Sequence, residues 1–135
     1  MKELFPHSAT TGGITVRVSV SFLPEQSEPG KGRWFWAYHV RIENEGRQAV
    51  QLVSREWIIS DGRGSQHEVR GEGVVGEQPV LAPGERFEYT SGVPLQTASG
   101  FMTGRYQMVN ASGERFEIDV PTFSLDSPDK GRVLN

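Results

Sequence analysis

The sequence predicts an all-β domain, an immunoglobulin/fibronectin type III-like β-sandwich of about seven antiparallel strands, on three observations. Apolar residues recur with a period of two through most of the chain, turn residues interrupt that alternation at hairpin spacing, and no stretch carries the apolar spacing of a helix. At 135 residues the chain suits one hydrophobic core and is short for two, so residues 1–135 are read as a single domain.

The elements follow in order. Residues 1–12 contain Pro6 and no sustained alternation, and are expected to form an extended or mobile tail. Ile14, Val16, Val18, Val20 and Phe22 alternate with Thr15, Arg17, Ser19 and Ser21, the pattern of a half-buried strand. Residues 24–32 are polar and proline-bearing, hence a long loop. Trp34, Trp36, Tyr38, Val40 and Ile42 then form an apolar row directed to the core, with Ala37, His39, Arg41 and Glu43 opposite and Phe35 as an aromatic exception on that polar face. After the Asn44-Glu45-Gly46 turn, Val50 and Leu52 resume the alternation before the phase changes to Val53, Trp57 and Ile59, which predicts a β-bulge at Leu52 and Val53.

Asp61-Gly62 reads as a type I′ hairpin turn leading to a weak strand over residues 66–70. Residues 71–79 are glycine-rich and end in Pro79, so they are read as an ordered loop, and Leu81-Ala82-Pro83-Gly84 as a turn. Phe87 and Tyr89 mark a fifth strand, and Met102, Tyr106 and Met108 a sixth, in which Tyr106 would be a corner tyrosine. Beyond the turn at residues 110–113, Phe116, Ile118 and Val120 form a seventh strand that Pro121 stops, leaving residues 124–135 as a second extended or mobile tail.

Composition narrows the function. The net charge of −3 creates no field for DNA or an anionic membrane, so neither is expected as a partner. Eleven of the fourteen basic residues are Arg, suited to local anion contacts. Without Cys there is no disulfide, thiolate metal site or Cys nucleophile, and the absence of a secretory pattern or long apolar run makes the expected location cytoplasmic.

Several segments resemble the ApaG family. They are residues 55–59 (Arg-Glu-Trp-Ile-Ile) with Asp61-Gly62, residues 69–79, residues 83–92, Gly104-Arg105-Tyr106-Gln107-Met108 and Pro121-Thr122-Phe123-Ser124-Leu125. Gln26-Ser27-Glu28-Pro29 and the closing Leu134-Asn135 also fit, so the resemblance spans nearly the whole chain. It implies a fibronectin type III-like sandwich without an agreed biochemical activity. It also implies an association with cobalt and magnesium efflux, and with a neighbouring gene for diadenosine tetraphosphate hydrolysis. Similar domains in F-box proteins and in a polymerase δ-interacting protein look like protein-interaction modules.

The motifs favour binding over catalysis. Gly71-Glu72-Gly73-Val74-Val75-Gly76 fits the dinucleotide pattern G-x-G-x-x-G, but Pro79 follows where a helix is required and no acidic residue stands at the ribose-binding distance. Two readings remain for this loop. Its backbone N–H groups form an anion nest assisted by Arg55, Arg63 or Arg70, or its glycines serve only unusual backbone angles. His7, His39 and His67 match no metal-ligand spacing, and Asp126 with Asp129 is too sparse for a hard cation. No nucleophile-base-acid set or desolvated carboxylate pair is evident, so no catalytic residue, metal or cofactor is assigned. The resulting expectation is a non-enzymatic binding domain, monomeric or homodimeric, with an unknown protein partner at residues 71–76, Arg55, Arg63 and Arg70. A nucleotide polyphosphate or other anion at the same loop is the alternative.

Overall fold

The computed structural model describes residues 5–128. Nine strands run in chain order: β1 (His7–Thr11), β2 (Ile14–Phe22), β3 (Trp34–Asn44), β4 (Val50–Asp61), β5 (Gln66–Glu72), β6 (Val80–Leu81), β7 (Arg86–Leu95), β8 (Ser99–Asn110) and β9 (Arg115–Asp126). They form two antiparallel sheets, ordered β1-β2-β3-β7 and β5-β4-β8-β9, with β6 paired to the start of β4. The fold is a β-sandwich, and the described residues include no α-helix.

Alternation explains which face each strand buries. Ile14, Val16 and Val18 of β2 oppose Asn44, Ile42 and Val40 of β3, while Trp36 and Tyr38 continue the same inward row. From the other sheet come Leu52, Trp57, Met102, Tyr106, Met108, Ile118, Phe123 and Leu125, all at most 2% exposed. Trp34 is only half-buried, since it lies at the end of β3 where the core thins. Phe35 lies against Gly92 of β7: a Cβ on that glycine would sit 2.7 Å from the Phe35 ring. The aromatic exception on the polar face is thus seated on a glycine of the neighbouring strand.

Four expectations need correction. Residues 7–11 are not a tail but an edge strand, paired from His7↔Val18 to Thr11↔Ile14. Pro121 does not stop the last strand. The β8/β9 register shifts between Met102 and Gly104, absorbing Pro121 and Thr122 so that pairing resumes at Phe123 and continues to Asp126. Of the tail expected over residues 124–135, residues 124–126 are therefore strand, and residues 129–135 lie outside the described residues.

The third correction concerns the Asp61-Gly62 turn, which is a three-residue loop. Gly64 N–H donates to Asp61 O, Asp61 N–H donates to Ser65 O, and the positive φ of 87° falls on Gly64. The Asp61 carboxylate, by accepting from the N–H groups of Arg63 and Ser65, selects the longer loop. Finally, Tyr106 is no corner tyrosine. It stands in mid-strand, fully buried, with its hydroxyl 2.5 Å from that of Tyr89. The bulge expected at Leu52 and Val53 is present, and the β4/β8 register shifts between Leu52 and Ser54.

Candidate functional site

The bulge in β4 determines what faces the core beyond it. After the shift, Arg55 opposes Tyr106, Trp57 opposes Gly104 and Ile59 opposes Met102, so Arg55, Trp57 and Ile59 share the inner face. Arg55 is therefore a charged residue between the sheets. On β5 its partner is Gly71, and Val69 and His67 stand beside Trp57 and Ile59.

The two lateral sides of the sandwich differ. On one, β1 and β9 approach and Asp119 N–H donates to Thr11 Oγ1 at 3.2 Å, closing the gap. On the other, β7 and β5 are the outer strands of their sheets, and nothing pairs across them among the described residues. There a cleft of about 710 Å³ opens between β7 and the β4–β5 ribbon. Its walls are Ser91, Val93 and Leu95 on one side and Trp57, Ile59 and Val69 on the other, with Tyr38 and Met102 at depth.

The ionisable side chains of this cleft, apart from Tyr38, are few. Arg33, Arg55 and His67 stand with the single lining acid Asp61, and Arg33 is paired with Glu28 at 3.3 Å. The Asp61 carboxylate is already an acceptor within its own turn. Arg55 Nη1 donates to the carbonyls of Glu72 (3.2 Å) and Gly73 (2.9 Å), and a Cβ at Gly71 would lie 2.8 Å from the same nitrogen. The guanidinium thus lies across Gly71, turned toward β5.

Trp57 is 2% exposed, and its Nε1 has no hydrogen-bond partner among the described residues. The Cε3 edge of its ring packs toward Gly104 of β8, at 2.7 Å from a built Cβ there, and the ring lies among those of Tyr38, Tyr106 and Phe123 with Nε1 closed off from solvent. Tyr38, Tyr89 and Tyr106 complete the inner surface. Burial pushes all three hydroxyls above their ordinary pKa of 10.0, with the Arg55 charge opposing the rise in each.

The residues proposed from sequence do not converge on one anion site. Arg55 is on the inner face of β4. Arg70 points outward, 2.8 Å from Glu56 and 3.2 Å from Glu68. Arg63 sits in the hairpin beyond Asp61, about 20 Å along β4 from Arg55 at the usual strand rise. Within the loop, Gly73 N–H donates to Val53 O, Val74 N–H to Glu77 O and Glu77 N–H to Val74 O. Val74 is fully buried, and Val75 and Gly76, at φ of 43° and 81°, form the tight turn. Glu72 points to the exposed face.

The histidines are dispersed as well. His7 lies near the Phe123 ring, His39 stacks on Phe5 while contacting Thr90 and Glu88, and His67 rims the cleft. Sequence reasoning missed the cleft itself, although one signal was present. The phase change that turned Trp57 and Ile59 inward also turned Arg55 inward.

Fold and cleft together define a class: an antiparallel β-sandwich domain with one sealed side and one open, mostly apolar, Arg-bearing side. The chain belongs to the ApaG family, since residues 24–110 match the ApaG domain model. It is 68% identical over 129 residues to Protein ApaG of Bradyrhizobium diazoefficiens, covering 96% of this chain and 99% of that protein. It is 61% identical over 122 residues to Protein ApaG of Rhodospirillum centenum, covering 90% and 94%. A solved structure described as the ApaA protein of Bordetella pertussis superposes with a TM-score of 0.83 at 50% identity, covering 85% of this chain and 94% of that one.

Proposed function

We propose that the chain is a non-enzymatic protein-interaction domain that receives an extended segment of a partner in the cleft between β7 and β5. The observation that carries this reading is the unclosed lateral side, where apolar walls stand beside an unpaired strand edge. Phe35 O accepts from Leu23 N–H on the β2 side, so the Phe35↔Pro94 pair lies between the ladder bonds of β3 and β7. The same parity directs the N–H and C=O groups of Gly92, Thr90 and Glu88 to the outer edge of β7, while Pro94 presents no donor there. A partner strand would gain main-chain hydrogen bonds along residues 88–92 and bury alternate side chains in the cleft.

A photo-crosslinking amino acid at Ser91, compared with one at Ser8 on the sealed side, tests this reading. Site-specific capture of one defined partner from Ser91 alone supports it, and equal capture from both positions would defeat it.

A nucleotide polyphosphate at residues 71–76 has less support, because the N–H groups of Gly73, Val74 and Glu77 are already donating to carbonyls. Titration with diadenosine tetraphosphate, following the amide resonances of residues 71–76, decides that alternative.

A further inference from the structure

We propose that the outer edge of β5 is a self-association surface, pairing in antiparallel register with β5 of a second copy of this chain about a two-fold axis at Val69. The proposal uses the β5 edge alone and does not depend on a segment seated against β7. Main-chain parity and side-chain charge carry it independently.

Parity comes from the two ends of the β4/β5 ladder. Asp61 N–H donates to Ser65 O and Gly73 N–H donates to Val53 O, and in an antiparallel pair the hydrogen-bonded positions recur at every second residue. His67, Val69 and Gly71 are therefore the positions bonded to β4. Gln66, Glu68 and Arg70 turn their N–H and C=O groups to the outer edge, where no strand pairs with them among the described residues. A second β5 meets that edge bond for bond only where even positions face even positions. With the axis at Val69, Glu68 faces Arg70 of the second copy, Arg70 faces its Glu68, and each such pair exchanges both main-chain bonds.

Charge selects the same register. On the outer face of this sheet, directly paired residues alternate in sign from strand to strand: Asp119 of β9, Arg105 of β8, Glu56 of β4 and Arg70 of β5. Glu56 lies 3.3 Å from Arg105 and 2.8 Å from Arg70. The row reaches the edge on a cation whose side chain is 70% exposed and contacts Glu68 of its own strand at 3.2 Å. With the axis at Val69, the next residue in the row is Glu68 of the second copy, and the alternation continues. An axis at Glu68 or at Arg70 would oppose like charges, the usual way in which a charged edge blocks pairing. An axis at Gly71 opposes Arg70 to Glu72, but Glu72 is the last residue of the strand and its carbonyl already accepts from Arg55. On the inner face the two Val69 side chains meet at the axis, and His67 faces Gly71 of the second copy, which has no side chain to oppose it.

The test is sedimentation velocity on the full chain from micromolar to millimolar concentration, at low and at high salt. We expect a monomer–dimer equilibrium that salt weakens. Glu68→Arg and Arg70→Glu should each weaken it about tenfold, because each turns both edge pairs from unlike to like. Mixing the two variants should restore association, since every facing pair is again of opposite sign. That recovery also shows both variants to be folded. The register is read with introduced cysteine, of which the chain has none. Val69→Cys should close a disulfide between copies under mild oxidation, because the Cα atoms of a non-hydrogen-bonded pair stand about 4.5 Å apart, within disulfide reach. Gln66→Cys should not, since its two copies lie about 20 Å apart along the strands.

A chain that sediments as a monomer at millimolar concentration would overturn the proposal. So would a dimer indifferent to both charge reversals, or one that cross-links through Gln66→Cys as readily as through Val69→Cys. None of these results bears on capture of a partner from Ser91, so failure here leaves the reading of the cleft standing.

Discussion

Replacing Gly73 with Ala separates a glycine that the loop requires from one that is merely present. Gly73 has φ of 65°, and a Cβ there would stand 2.3 Å from the carbonyl oxygen of Glu77 and 3.0 Å from its carbon. The left-handed backbone costs Ala about 1–2 kcal/mol. Relieving the overlap moves Glu77, whose carbonyl accepts from Val74 N–H at 2.8 Å and whose own N–H donates back at 2.9 Å. Losing those two bonds adds about 2 kcal/mol at about 1 kcal/mol each. The sum is about 3–4 kcal/mol, or a fall in Tm of about 10–15 °C for a domain of this size. Gly76→Ala is the control: φ is 81°, but nothing lies within 4 Å of the built Cβ, so only the backbone cost of about 1–2 kcal/mol applies. Urea unfolding followed by tryptophan fluorescence measures both. A Gly73→Ala cost no larger than that of Gly76→Ala would refute the loop geometry described above.

Other predictions follow from the same structure. Val75 is a β-branched residue at φ of 43° and 56% exposed, so Val75→Asn, which suits the turn before Gly76, should stabilise the domain by about 1 kcal/mol in the same urea assay. Tyr106→Phe leaves the Tyr89 hydroxyl buried and alone at a cost of about 1–3 kcal/mol, and the double Phe variant should recover part of that loss, with a double-mutant cycle reading the coupling. All three tyrosines of the chain have hydroxyls raised by burial. Their protons are held below pH 10 in both folded and unfolded states, and above it only the unfolded chain releases them, so stability falls as pH rises past 10. Absorbance at the tyrosinate band should therefore rise only together with unfolding. The Glu88 carboxyl is held below its ordinary 4.5 chiefly by the His39 hydrogen bond and then by Arg41, so its contribution is present above that value and disappears as pH falls below it. Being about a third exposed, it contributes under about 1 kcal/mol, and Glu88→Gln should flatten the acid limb of a stability profile by that amount.

Local chemistry was legible in the sequence wherever one strand or one turn decided it. The alternation of Ile14 to Phe22 and Trp34 to Ile42 named their buried faces, and the phase change after Leu52 located the bulge. Glycine loop residues could be recognised as special, but whether their N–H groups were open to a ligand depended on Val53 and Glu77, which only the folded chain brings to them. The separation of the arginines offered beside the loop was hidden for a related reason. Arg55 and Arg70 lie on opposite faces of paired strands, and pairing is a tertiary fact.

Period-two alternation and turn residues by themselves determined an all-β sandwich, because a pleated strand with one apolar face has to bury it against another sheet. Which strands became neighbours, that β1 and β9 close one side through Thr11 and Asp119 while β7 and β5 leave the other open, and that Arg55 and Trp57 both come to line it were decided by tertiary structure alone. The reason is physical: alternation specifies a face, whereas a cleft is a relation between two edges far apart in the chain.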